Sequence, residues 1–406
     1  MCSYTFQRIT CPACGQLSES SISDTCPSFS TYRNIFKCPN FKSEQFPSSD
    51  ECEKCRLRTQ TAEHFGDNDE QFPLPEGKQQ LPKVVLISTG GTITGKGSSP
   101  TDTTDYKAGA LNIEEVIKPV KSFWEPFVNV VTIPLFELDS INLDLPRKIT
   151  LYHTIMKYLC CPDVSGVVVT IGTHEMSATA QFLDVTIRGH RVVLTGATKP
   201  HTTFNADGPG NILASVLTAV SAKWSGVVIL MDQMVMRPFR TLKKGNCFER
   251  GPETPLAEIK NFKPVFNHVP CSVPPKHIDI SGLSSEDPLP AVEIIPVYAG
   301  CNSNQFKSAV ERGVKGIILE AYSDGYWPDN SRTEITEWAE RDELVVVMTS
   351  RQCPTRVGRA RVGGVLPGGD WNTDQLLNIL QLLIMLGRGK EEIKEFILNP
   401  FNVTKT

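Results

Sequence analysis

Val84-Val85-Leu86-Ile87-Ser88-Thr89-Gly90-Gly91-Thr92-Ile93 is the stretch on which the fold turns. A continuous apolar, β-branched run passes directly into a Gly-Gly pair, and that pair presents a threonine. A strand covered on both faces reads as such an unbroken run rather than as an alternation. Two glycines let the backbone turn sharply at the strand's carboxyl end, which is where open α/β sheets bind ligands. A hydroxyl held there beside exposed backbone N–H groups has the ingredients of a nucleophile with an oxyanion site. An ordinary Gly-rich strand-to-helix turn has the same local sequence, so further motifs must decide.

Two more units repeat the logic. Gly166-Val167-Val168-Val169-Thr170-Ile171-Gly172-Thr173-His174-Glu175-Met176 is again an apolar strand ending in Gly-Thr, followed by a helical segment, Ser177–Ile187. Arg191-Val192-Val193-Leu194-Thr195-Gly196-Ala197-Thr198-Lys199-Pro200 is the third, and Asn205-Ala206-Asp207-Gly208-Pro209-Gly210-Asn211 then opens a helix. Strands are expected at Val84–Ser88, Val128–Pro134, Gly166–Ile171, Arg191–Thr195 and Gly226–Met231, with helices at Asn112–Lys121, Pro146–Leu159, Ser177–Ile187 and Asn211–Ala222. Such alternation calls for a parallel sheet with helices on both faces. After a Pro-rich linker over 267–291, a smaller α/β unit is expected, with strands Glu293–Tyr298, Gly316–Glu320 and Leu344–Met348. Its helices are expected at Ser303–Arg312, Glu334–Arg341, Thr373–Leu386 and Lys390–Leu398.

Thr92, the Gly172-Thr173 pair and Thr195-Gly196-Ala197, in this order, make the chain resemble the bacterial-type L-asparaginase family over roughly residues 82–400. That resemblance implies an α/β fold with a larger parallel-sheet domain (82–266) followed by a smaller α/β domain (292–406). It further implies an amidohydrolase whose threonine hydroxyl attacks a side-chain amide and releases ammonia, with no cofactor for catalysis. A small-molecule carboxamide is the implied substrate, and a homodimer or homotetramer, with sites completed by the partner's small domain, is the implied assembly.

Residue by residue, the resemblance makes Thr92 the nucleophile and Tyr106, in Asp105-Tyr106-Lys107-Ala108-Gly109, the tyrosine of a closing loop that polarises that hydroxyl. The intervening Gly95-Lys96-Gly97-Ser98-Ser99-Pro100 suits a lid. Thr173 matches the second catalytic threonine, and Lys243, in Thr241-Leu242-Lys243-Lys244, matches the catalytic lysine. A lysine serves as a base only if burial or positive neighbours lower its pKa; a surface lysine in a basic loop is the competing reading. Ser140 stands where the family holds the substrate carboxylate, and Gly91, Gly172, His174 and Ala197 complete the implied substrate-binding set.

The departures are as informative. In the family an aspartate follows the second threonine, gripping the substrate's α-ammonium and hydrogen-bonding the lysine; here that position is His174. Histidine supplies no fixed negative charge, and Glu175, one position on, is expected to point elsewhere. A second family loop reads Ala321-Tyr322-Ser323-Asp324-Gly325-Tyr326-Trp327, and a third, Thr355-Arg356-Val357-Gly358-Arg359-Ala360-Arg361, has three arginines. Arginines suit carboxylates and other anions through bidentate pairs, or form a solvated basic loop. The expected consequence is a changed substrate, an N-substituted or amino-less amide.

Composition excludes several classes. The chain's 406 residues and 40% hydrophobic content allow two or three domains with sizeable cores. A net charge of −4 gives no electrostatic footprint for nucleic acid. No apolar run reaches membrane-helix length, and the start, Met1-Cys2-Ser3-Tyr4-Thr5-Phe6-Gln7-Arg8, is no secretory signal. A cytoplasmic protein with neither membrane nor nucleic-acid partners is expected. Seven of thirteen cysteines fall in the first 55 residues, so residues 1–60 read as a Cys-rich segment and 61–81 as a polar linker. The pairs Cys11/Cys14 and Cys52/Cys55 have the C-x-x-C spacing that grips one tetrahedral zinc ion. A loosely ordered tail and a disulfide scaffold are the competing readings. Three functions stay open at this point: an asparagine-type amidohydrolase, the same pocket redirected to another carboxamide, ester or ring-closing reaction, and a non-catalytic interaction protein.

Overall fold

Arg8–Thr10 (β1) pairs antiparallel with Leu17–Glu19 (β2), Ile9 opposite Ser18. This hairpin belongs to a unit of its own. The computed structural model describes residues 8–10, 17–19, 81–249, 255–267, 275–352 and 355–401. Cys11, Cys14, Cys52 and Cys55 lie outside the described residues, as does nearly all of the 61–81 linker.

The larger sheet is built on the apolar run Val84-Val85-Leu86-Ile87. Lys83–Gly90 (β3) has no exposed surface from Val84 to Ile87, which is why its sequence is continuously apolar. Lys96–Gly97 (β4) and Tyr106–Lys107 (β5) form a small hairpin beyond it. There follow Ile113–Ile117 (α1), Asn129–Leu138 (β6), Leu145–Leu159 (α2), Val164–Thr170 (β7), Met176–Thr186 (α3), Arg191–Thr195 (β8), Gly208–Val220 (α4) and Gly226–Met231 (β9). The helix expected over 112–121 is shorter: Asn112 caps it by accepting from the Glu114 N–H, and Pro119 stops it.

Met234–Met236 (β10), Leu242–Lys244 (β11), Cys247–Glu249 (β12), Ala257–Lys260 (β13) and Lys263–Phe266 (β14) complete this half. The eight-stranded order is β14-β13-β10-β9-β8-β7-β3-β6. Strands β9 to β6 in that order are parallel, and β10, β13 and β14 add an antiparallel edge absent from the sequence reading. Helices α1 and α4 cover one face, burying Ile113, Val116, Ile212 and Val216 against Val84, Leu86, Val168 and Val193. Helices α2 and α3 lie against β7 and β9.

The smaller domain contains Val292–Pro296 (β15), Asn304–Glu311 (α5), Gly316–Ala321 (β16), Arg332–Ala339 (α6), Val345–Ser350 (β17), Leu366–Pro367 (β18), Thr373–Met385 (α7) and Lys390–Leu398 (α8). Its sheet is parallel throughout, in the order β15-β16-β17-β18. The fold is therefore mixed α/β, a large parallel-dominated sheet followed by a separate small one.

The described part of the expected linker, from 275, is packed down: Ile278 and Ile280 are buried, and the Ile278 N–H donates to Val185 O at 2.8 Å. Helix α7 packs on α3. Its wholly buried Gln375 donates Nε2 to Pro238 O at 2.9 Å, reaching the segment that leads into β11.

Candidate active site

The end of β3 meets two other turns at touching distance. Gly91 has φ 82°, and a Cβ there would lie 2.5 Å from both Cα and N of Gly172. A Cβ on Gly172 would in turn lie 2.5 Å from Ser140 Oγ. Only glycines allow this stack, which gathers the Thr92, Thr173 and Ser140 motifs into one place. Thr92 begins a 3-10 turn, Thr92–Thr94, and is half-buried. Its Oγ1 lies 2.7 Å from Tyr106 Oη. One detail differs from the sequence reading. The Gly91 N–H is already given to Leu138 O at 2.9 Å, so it is no oxyanion donor.

Tyr106 is held by the β4–β5 pairing, opposite Gly97, with its ring against Gly95. The Gly97 N–H donates to Thr202 Oγ1 at 2.9 Å, the His201 N–H to Gly95 O at 3.1 Å and the Phe204 N–H to Pro100 O at 3.1 Å. The segment before Tyr106 winds around Asp102. That carboxylate accepts from the Asp105 and Thr104 N–H groups and the Ser98 hydroxyl, which together hold its pKa below the usual range.

Thr173 is buried behind Gly172, and Gly196 of the third motif lies against it. The turn after β8 is fixed from below. Asp207 accepts from the Thr198 N–H at 2.9 Å, the Lys199 N–H at 3.0 Å and the Thr198 hydroxyl at 3.1 Å, while Asn211 Nδ2 donates to Gly196 O at 3.0 Å. Ala197 is buried in this turn. The sequence shows Asp207 only as a helix opener; its work on the preceding turn depends on the tertiary fold.

Lys243 sits on β11, opposite Phe248 of β12, and is half-buried. Burial pushes its ammonium below the usual lysine range, and the Asp139 carboxylate opposes that shift. Asp139 directly precedes Ser140 and accepts from the Ile141 N–H at 3.4 Å, so the carboxylate that acts on Lys243 is carried by the turn that holds Ser140. The sequence reading does not single out Asp139; adjacency to Ser140 is the only signal it offers.

His174 is exposed. Glu175 points away from it, to Lys148 of α2: Nζ to Oε2 is 2.7 Å. Two of the three arginines in the 355–361 loop are neutralised within their own domain. Arg356 bonds Asp370, and Arg361 pairs with Asp324 at 2.8 Å while lying 3.9 Å from the Tyr326 ring centre. Only Arg359 of the three has no ion pair among the described residues. The described residues contain no group of three or more His, Cys, Asp or Glu arranged to hold a metal ion. None of the described helices is long and apolar enough to cross a membrane.

Residues 83–271 match the family model described as "Asparaginase, N-terminal", and residues 291–397 match "Glutaminase/Asparaginase C-terminal domain". The chain is 34% identical over 279 residues to a probable L-asparaginase 1 of Schizosaccharomyces pombe, covering 67% of this chain and 76% of that one. It is 30% identical over 338 residues to L-asparaginase 2 of Bacillus subtilis, covering 80% and 87% respectively. Among solved structures, a probable cytoplasmic L-asparaginase from Campylobacter jejuni superposes with a TM-score of 0.71. It is 28% identical and covers 78% of this chain and 99% of that one.

Proposed function

Because the chain belongs to the asparaginase family and is an asparaginase-like enzyme, we propose that it hydrolyses the side-chain amide of asparagine or a modified, asparagine-like substrate. Thr92 is the nucleophile of this reading. The observation that carries it is the 2.7 Å contact between Thr92 Oγ1 and Tyr106 Oη at the carboxyl end of a parallel strand. A threonine hydroxyl is almost wholly protonated at neutral pH and needs a partner to take its proton.

In the first step Thr92 Oγ bonds to the amide carbon while its proton passes to the Tyr106 hydroxyl, which gives up its own proton to the departing amide nitrogen. The tetrahedral intermediate then collapses, the C–N bond breaks and the nitrogen leaves, protonated, as ammonia. Water cleaves the resulting threonyl ester in a second step, releasing the carboxylate and restoring the hydroxyl. Thr173 and Lys243 handle the proton of that water, with the Asp139 carboxylate opposing the downward shift that burial gives Lys243. Gly91, Ser140, Gly172 and Ala197 shape the substrate pocket.

The substrate lacks a free α-ammonium in this reading. His174 provides no fixed negative charge, and Glu175, the adjacent acid, is held by Lys148. Free L-asparagine is accordingly a poor substrate, and N-substituted or amino-less carboxamides are better ones. Likeness to the probable cytoplasmic L-asparaginase of Campylobacter jejuni supports a cytoplasmic location, and the family resemblance supports a homodimer or homotetramer. For the N-terminal cysteines the proposal is one structural zinc ion per chain, lost when Cys11, Cys14, Cys52 and Cys55 become serine; metal analysis of purified protein tests it.

Ammonia release across a panel of carboxamides, with Thr92→Val beside the unmodified protein, tests the function. That change keeps the branched shape and deletes the hydroxyl. Turnover should fall by several orders of magnitude with folding intact, and turnover equal to the parent would remove Thr92 from the mechanism.

A further inference from the structure

Lys148 is an unusual lysine. It is 2% exposed on α2, between the two domains, and it donates to Glu175 Oε2 at 2.7 Å and to Asn378 Oδ1 at 3.2 Å. Asn378 belongs to α7 of the smaller domain, whereas Glu175 immediately follows Thr173 and His174. Glu175 occupies the N-cap position of α3 without capping it through its side chain. Its N–H meets Ser140 Oγ at 3.4 Å instead, while its carboxylate goes to the lysine. One residue therefore ties the second-threonine turn to Ser140 through its backbone and, through its carboxylate and Lys148, to the other domain.

We propose that Lys148 and Glu175 are positioning residues, through which Asn378 and α7 hold the Thr173–His174 turn in its working geometry. This inference rests on the site reading given above. A buried ion pair is poor evidence for stability, because apolar residues of similar volume hold a fold as well or better. What it supplies is direction: an ammonium with two fixed acceptors on two domains locks their register at the turn. The surroundings agree. Burial pushes Lys148 down while Glu175 draws it back up, and burial together with Glu175 and Glu320 raises the neighbouring Asp374 carboxyl. The Thr373 hydroxyl at the start of α7 donates to Glu320 at 2.9 Å, anchoring that helix in its own domain. Reacting groups tolerate little displacement: an error of roughly 1 Å costs on the order of 10²-fold in rate.

The test uses the full chain and the best carboxamide of the panel. It measures kcat and KM separately, with thermal unfolding of the same samples. Glu175→Gln alone strands a buried cation, so the informative variant is the double change Lys148→Met with Glu175→Gln, which removes both charges. It should lower kcat about 10- to 100-fold with KM nearly unchanged, and with a Tm equal to or above the parent's. Asn378→Leu should move kcat in the same direction by less. Parental kcat in the double variant overturns the inference, whatever its Tm; if the double variant does not fold, parental kcat in Asn378→Leu does so. Thr173→Val separates this failure from that of the site reading. If it retains full turnover, or the unmodified protein releases no ammonia from any amide, the site reading itself falls and takes this inference with it.

Discussion

The site has two halves that are built by different means. Thr92, Thr173 and Ala197 follow the ends of β3, β7 and β8, adjacent strands whose backbones are bonded in register. Tyr106 and Lys243 stand on two small hairpins outside that sheet. The Tyr106 hairpin is tied to its neighbours by the Gly97 N–H to Thr202, the segment leading to Lys243 by Gln375 to Pro238 O. Sheet geometry therefore places the threonine hydroxyls, and a few side-chain contacts place the Tyr106 hydroxyl and the Lys243 ammonium. The difference teaches where damage should spread. A fault in the packed backbone at the strand ends should cost folding and activity together, whereas one in the hairpins should cost activity alone.

The strongest way to break that contrast is Gly91→Ala. The added methyl lies 2.5 Å from the Gly172 backbone, at a φ of 82°, and neither neighbouring backbone can give way cheaply. Strain and overpacking together should lower stability by about 2–6 kcal/mol and abolish turnover. Denaturant midpoints check it; a parental midpoint would mean that the sheet does not fix this turn. Tyr106→Phe attacks the other half. The ring stays against Gly95 while the 2.7 Å hydroxyl contact goes. Turnover should drop on the order of 10²- to 10³-fold with the melting temperature unmoved, and a large loss of Tm would erase the distinction between the halves.

The same contrast governs what could be read from sequence. The strand cores at 84–88, 191–195 and 226–231 are continuous apolar runs bounded by turn residues, so their type and place are legible. The antiparallel edge is not. β10, β13 and β14 are three or four residues long, and their turns, Asp232-Gln233 and Asn261-Phe262, take left-handed φ values of 51–63° without the glycine that usually announces such turns. Partners distant in sequence are equally silent. Nothing local joins Lys148 to Glu175, Gln375 to Pro238, or Ile278 to Val185. Glycines that permit backbone contact can be seen in a sequence; the atoms they admit cannot.

His174→Asp sharpens the comparison from a third side, because the sheet fixes where that side chain stands but not its chemistry. The turn is already formed, and His174 is exposed, so the substitution should leave the Tm alone. Restoring a carboxylate opposite a bound ammonium is worth a few kcal/mol, on the order of 10²-fold in turnover of L-asparagine. The altered 321–327 and 355–361 loops should cap that gain. Efficient hydrolysis of L-asparagine by the unmodified protein would refute the changed-substrate reading.

The smallest effect belongs to Asp139→Asn, and it is read in pH rather than in rate. In the proposed mechanism Lys243 acts as a base, which it can do only when neutral, so turnover should climb as pH rises through its pKa. Burial holds that pKa below the usual lysine range, and the Asp139 carboxylate holds it up against burial. Removing the negative charge should therefore lower the lysine's pKa further and move the acid limb of kcat to lower pH. The amide oxygen can still accept from the Ile141 N–H, as Oδ1 does at 3.4 Å, so the turn at Ser140 should survive. A purely structural Asp139 gives a different profile, with kcat lowered at every pH and the limb in place. That result would leave Lys243 placed by its hairpin but not tuned by the carboxylate that precedes Ser140.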